Sequence, residues 1–208
     1  INPWPTPDNI LSNPLCEKNE INIRDNSTPN AGTLVRWYWN LGDGTIINAT
    51  NNTPFTHTYA NWGDKVIKLL VESSKGCRSD TLTKTVRIHP LPKPGFVLPE
   101  VCLRDAFAPF VDTSSVPDGT SATLRYLWNF NAGAAPITPG PVPATSTNKN
   151  NNIRFNTAGV YQIALRVETA AGCVDSITKP FTVNGVISRT DFNILPTNGL
   201  CSNQDIEI

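Results

Sequence analysis

Apolar residues recur at every second position over several short stretches of this chain, and no segment sustains a helical period. Val66, Ile67, Leu69 and Val71, then Ile163, Leu165 and Val167, give the alternation of a strand with one buried face. The stretches 81–88 (TLTKTVRI) and 176–183 (SITKPFTV) supply a next strand rich in β-branched residues. Between them, "SSKG" and "TAAG" end in glycine, as tight hairpins do. The pattern predicts an all-β chain of about seven short strands in each ~90-residue unit, the plan of a two-sheet immunoglobulin-like sandwich.

The pattern also repeats. Residues 59–77 (YANWGDKVIKLLVESSKGC) lie over residues 155–173 (FNTAGVYQIALRVETAAGC) without a gap. Upstream, "WYWN" answers "YLWN", with Trp39 matching Trp128. Cys16 is followed at five and seven positions by Ile21 and Ile23, Cys102 by Phe107 and Pro109, and Cys201 by Ile206 and Ile208. These matches predict repeat 1 over residues 1–90 with an N-terminal linker, and repeat 2 over 91–184. Residues 185–208 read as a linker and the first strands of a third repeat, so the chain reads as a cut from an array. The proline-rich "HPLPKPG" (residues 89–95) is a stiff connector, because proline fixes φ and favours extended backbone.

Composition removes several function classes. Lys+Arg and Asp+Glu both number 17 and charged residues make up only 16%, so nothing draws the chain to nucleic acid. No apolar run approaches the length that inserts into a membrane. Five cysteines without a C-x-x-C pair argue against zinc and for structural disulfides in an oxidising compartment. No cofactor is implied.

At "WNLGDG", the later "HTY", "GDKV", "GC" and a proline-led junction, the first repeat resembles the polycystic kidney disease (PKD) domain. The second repeat departs from that pattern at "WNFNAG" and has Ile153 where His57 stands, yet it keeps "AGVYQIALRV". The resemblance covers nearly the whole chain and implies tandem PKD-type β-sandwiches. A cysteine before the second strand combined with a Gly-Cys turn is similar to modules of giant surface adhesins of gliding bacteria, exported by type IX secretion. That likeness implies an extracellular or cell-surface setting.

Trp39 and Trp128, with Trp37 on the same strand face as Trp39, read as core anchors. Gly42-Asp43-Gly44 reads as a strand-joining turn, since one carboxylate is too few for calcium. His57, with Tyr59 two residues on, has no histidine counterpart in repeat 2, which excludes a catalytic site shared by the repeats. Nothing marks a pair of acids for glycoside hydrolysis. Trp4 and Trp62 fall outside the matched positions and are candidate contact surfaces, the basis of a glycan-binding alternative.

Counting pairs Cys16 with Cys77 and Cys102 with Cys173, leaving Cys201 over. Topology objects, because the residue before the second strand and the turn before the last lie at opposite ends of such a sandwich, roughly 30 Å apart. A head-to-tail array would instead let Cys16 bond Cys173; both arrangements stay open on sequence grounds. Asn26, Asn48 and Asn51 fit the N-linked acceptor pattern. Thr81 and Ser176, each after an aspartate and before an apolar residue, resemble an O-glycosylation signal of gliding bacteria. The whole predicts a non-enzymatic structural or adhesive segment of a large secreted or surface protein, a stalk or filament that extends and presents other domains. Its partners would be neighbouring repeats, surface polysaccharide or other adhesin copies. The alternative from another class is an accessory linker region of a secreted hydrolase.

Overall fold

The computed structural model describes residues 2–102 and 107–185. The predicted third repeat, with Cys201, lies outside the described residues.

Repeat 1 contains β1 (Asn9–Leu11), β2 (Glu20–Asp25), β3 (Leu34–Asn40), β4 (Ile46–Ala49), β5 (Phe55–Thr58), β6 (Gly63–Ser73) and β7 (Leu82–Ile88). They form two antiparallel sheets, β1-β2-β5 and β4-β3-β6-β7. Alternation decides which residues meet between them: β2 contributes Ile21 and Ile23, β3 Trp37 and Trp39, β6 Ile67, Leu69 and Val71, and all are buried in one cluster. Tyr38 points away from that core and is only partly buried.

Repeat 2 uses the same plan. Its strands are β8 (Phe96–Val97), β9 (Val101–Cys102), β10 (Phe107–Asp112), β11 (Arg125–Asn129), β12 (Thr145–Ser146), β13 (Asn151–Arg154), β14 (Gly159–Glu168) and β15 (Val174–Asn184). The sheets are β13-β10-β8 and β12-β11-β14-β15-β9. Trp128 pairs with Leu165 as Trp39 pairs with Leu69, so the two tryptophans occupy one structural position. The chain is therefore all-β, two immunoglobulin-like sandwiches in tandem.

One expected alignment is corrected. The sequence match sets Phe107 and Pro109 of repeat 2 against Ile21 and Ile23. In the structure Ala108 and Phe110 are the buried pair, and Phe107 and Pro109 face solvent. Pairing gives the reason: Ile21 sits opposite His57, and Ala108 sits opposite Ile153, the residue matching His57. The cysteines themselves stay equivalent, Cys16 bridging His89 and Cys102 pairing with Asn184 beside the end of the last strand. Repeat 2 thus carries one extra residue between cysteine and strand. With a side-chain period of two, one residue turns the whole strand over.

The turns that close β6 to β7 and β14 to β15 are alike. Ser73 N–H donates to Cys77 O and Gly76 N–H to Ser73 O; Thr169 to Cys173 and Gly172 to Thr169 repeat the arrangement. Gly76 and Gly172 both hold φ in the left-handed region, at 74° and 83°.

Candidate functional site

The junction between the repeats holds a disulfide and the proline-rich connector. Cys16, just before β2, is bonded to Cys173 in the β14–β15 turn, with Cα atoms 5.7 Å apart. That is the cross-repeat pairing. It excludes Cys16–Cys77 and Cys102–Cys173, and Cys77 is free. The reason is length: Cys16 lies beside the Gly63 end of β6, and Cys77 lies beyond its Ser73 end. Eleven residues of strand β6 separate them, about 35 Å at the usual rise.

Beside the disulfide, the connector works as a strap held by both repeats. Pro90, Pro92 and Pro94 have no N–H to satisfy, and the four residues that flank and separate them each donate their own. His89 N–H goes to Leu15 O and Leu91 N–H to Glu17 Oε1, both in repeat 1. Lys93 N–H goes to Ser115 O and Gly95 N–H to Ser114 Oγ, both in repeat 2. The second oxygen of Glu17 accepts the Trp62 N–H, so one buried carboxylate ties the β5–β6 loop to the strap. Sequence reasoning missed Glu17. Its position directly after Cys16 was the available signal, but repeat 2 has Leu103 after Cys102 and gave no echo.

Arg87, His89 and Pro90 on one side, and Val116, Asp118, Thr120, Thr169 and Ala170 on the other, line a cleft of about 340 Å³ at this junction. Its carboxylate is committed locally: Asp118 accepts the Thr120 hydroxyl and N–H, which hold it below its usual range.

At the same end of repeat 1, the turn after β3 carries the motif residues. Gly42 (φ 81°) packs so close to β6 that a Cβ would stand 2.6 Å from Val66 N, and Gly44 also has positive φ. Asp43 Oδ1 accepts the Thr45 N–H, and Oδ2 lies 2.7 Å from His57 Nε2. Burial works to raise the Asp43 pKa, but those hydrogen bonds together outweigh it and lower it overall. The His57 ring meets Tyr59 edge-on at 4.6 Å, and the buried Tyr59 hydroxyl donates to Leu41 O. Burial, then the Asp43 charge, pushes that phenol up to about 12. The group clamps β3, β5 and β6 together and presents no substrate position. Among the described residues no three His, Cys, Asp or Glu side chains cluster as a metal site would.

The aromatic candidates separate sharply. Trp39 and Trp128 are buried, and Trp128 Nε1 donates to Asn148 O. Trp62 is 38% exposed, with the Arg87 guanidinium 5.8 Å over its ring. Trp4 is 65% exposed. Thr81, Ser176, Asn26, Asn48 and Asn51 all lie at the surface.

The PKD domain family model matches residues 2–88 and 103–184. No curated protein matches the chain. Among solved structures, the PKD1 domain of Vibrio anguillarum Epp is 22% identical, with a TM-score of 0.37 over 42% of this chain and 96% of that one. The PKD1 domain of the Vibrio cholerae metalloprotease PrtV is also 22% identical, with a TM-score of 0.35 over 41% and 96%. The fibronectin(III)-like modules of Clostridium thermocellum CbhA are 15% identical, with a TM-score of 0.43 over 89% of this chain and 99% of that one. No described helix is long and apolar enough to cross a membrane. With matches over both repeats, the chain belongs to the PKD domain family, whose members are typically non-catalytic extracellular modules of larger proteins.

Proposed function

We propose that this chain is a stiffened, non-catalytic segment of a secreted or surface-anchored protein, serving to extend and present other parts of it, with adhesion as the parent's purpose. The observation that carries the reading is the junction. A covalent bond and an alternating proline strap, whose every N–H is taken by one repeat or the other, hold the two sandwiches at two separate places. A passive linker has no use for that arrangement, whereas a stalk under tension does. Identical modules add reach, and many copies of a weak contact add avidity. The bacterial surface-adhesin setting, with export by the type IX route and O-linked sugar at Thr81 and Ser176, belongs to the same proposal. An extracellular location is consistent with the disulfide.

Single-molecule pulling on the oxidised chain tests it. Force applied through the termini of the oxidised chain should pass through the Cys16–Cys173 bond, so that residues 17–172 release no length. Under reductant the repeats should first separate at low force and then unfold one after the other. An oxidised chain that releases the length of a whole sandwich contradicts the proposal.

A further inference from the structure

The outer end of repeat 1 is built like the inner junction but left uncovered. Thr6 bridges Thr28 through two backbone hydrogen bonds, as Lys93 bridges Ser115. Asn9 pairs with Asp25 as Phe96 pairs with Asp112. By this register Pro3, Trp4 and Pro5 occupy the places of Pro90, Leu91 and Pro92, so residues 3–7 are a second copy of the proline strap. The half that lies on its own repeat is buried in both copies, at Pro5 and at Pro92. The other half differs: Pro90 is buried and Leu91 partly so against repeat 1, whereas Pro3 and Trp4 are exposed. The adjoining turn differs in the same sense. Cys173 is fully buried, and a Cβ on Gly172 would touch Pro14 at 3.5 Å. The equivalent Cys77 is partly exposed and free, and a Cβ on Gly76 would meet nothing within 4 Å.

We propose that this end, formed by Cys77, Gly76, Pro3 and Trp4, is a docking surface for the cysteine-bearing end of another PKD-type module, closed by a disulfide from Cys77. The inference rests on the array reading above. The occupant's chemistry follows from the inner junction. It presents a cysteine just before its second strand, a small residue such as Pro14 to cover Gly76, and an oxygen acceptor in the place of Glu17 to take the Trp4 N–H. Ser74 and Lys75 stand where Ala170 and Ala171 stand, so this contact is more polar than the inner one. Two thiols are oxidised to one disulfide as the bond forms, with two protons and two electrons passing to a thiol oxidant of the extracellular space.

Non-reducing peptide mapping of the native parent protein, alkylated before digestion, tests the inference. The peptide holding Cys77 should appear joined to a peptide from outside residues 1–208 whose cysteine directly precedes the second strand of another PKD-type module, with no alkylated Cys77. Alkylated Cys77, or Cys77 joined to Cys102 or Cys201, overturns it. The same digest reports Cys16–Cys173 separately. Its absence would remove the stiff-array reading itself, whereas its presence beside a free Cys77 would overturn only this inference.

Discussion

Repeat 1 and repeat 2 each build the same kind of sandwich from different residues, and their positions can be compared pair by pair. Where repeat 1 has Ile23, Leu41 and Val86, repeat 2 has Phe110, Phe130 and Phe181; where repeat 1 has Ile21, repeat 2 has Ala108. Larger rings on one side are offset by a smaller residue on the other, as a close-packed interior requires. The polar clamp is exchanged just as completely. Asp43 and His57 have no counterparts: Ile153, in the histidine's place, is buried in the aromatic core. The turn that Asp43 closes becomes a long loop running from Phe130 to Ala144, whose backbones still pair as Leu41 and Thr45 do. Asn131 clasps that loop through both the N–H and the C=O of Ile137. What both repeats keep is the asparagine after the tryptophan, Asn40 and Asn129, each accepting the N–H two residues on. The fold therefore needs a filled core and a capped strand end, and the Gly-Asp-Gly clamp is one way among others of supplying the second.

The largest effects should come from the shared core. Trp128→Ala is expected to destabilise repeat 2 by about 3–5 kcal/mol. It removes contacts with Phe96, Phe110 and Phe130 together with the bond to Asn148. Trp39→Ala should cost repeat 1 a little less, since its ring has one aromatic neighbour, Phe55. Urea unfolding of the two variants, followed by NMR signals assigned to each repeat, measures the difference. A loss below 1 kcal/mol in either would show that the tryptophan is not an anchor.

Next in size is Glu17→Ala, which strands the N–H groups of Trp62 and Leu91 and should cost about 1–3 kcal/mol. Hydrogen exchange at those two amides should rise while the repeat 2 core stays protected. Unchanged exchange would mean that the carboxylate does not hold the strap.

The clamp should matter least. His57→Ile and Asp43→Ala, which import the residue types of repeat 2, should each cost about 1 kcal/mol or less because the pair is partly solvated. In a double-mutant cycle the second change should cost less than the first, and strict additivity would deny the clamp. Acid titration separates the repeats further. Asp43 is held below its ordinary value of 3.8 in the folded protein. It therefore contributes stability above the unfolded value, and that contribution is lost as pH falls through the lower folded value. As pH falls below 3.8 the clamp's share should be lost from repeat 1, and Asp43→Ala should remove that share of the acid sensitivity.

Much of this was legible in the chain. Strand alternation, the glycine hairpins and the tandem copy of the 59–77 segment carry their own geometry, because a period of two says which face is buried. The β2 and β10 match failed for a physical reason: counting from a cysteine assumes constant length, and one inserted residue before β10 reverses every side chain. The disulfide was half legible: strand length spoke against Cys16–Cys77, but only the docking of the two repeats shows which cysteine Cys16 meets. Glu17 and the strap were not legible. Which carboxylate meets which amide depends on how two separately folded units dock, and neither pattern nor spacing encodes that. Only the alternation of proline with donor residues between 89 and 95 was visible, and its meaning needed the partners.

A junction held by the disulfide and the strap makes the two repeats move as one body. Residual dipolar couplings measured for both repeats of the oxidised chain test it most directly. One alignment tensor should fit the described residues of both, and Cys16→Ser should split it into two tensors of unequal magnitude. Two independent tensors in the oxidised wild-type chain would contradict the account.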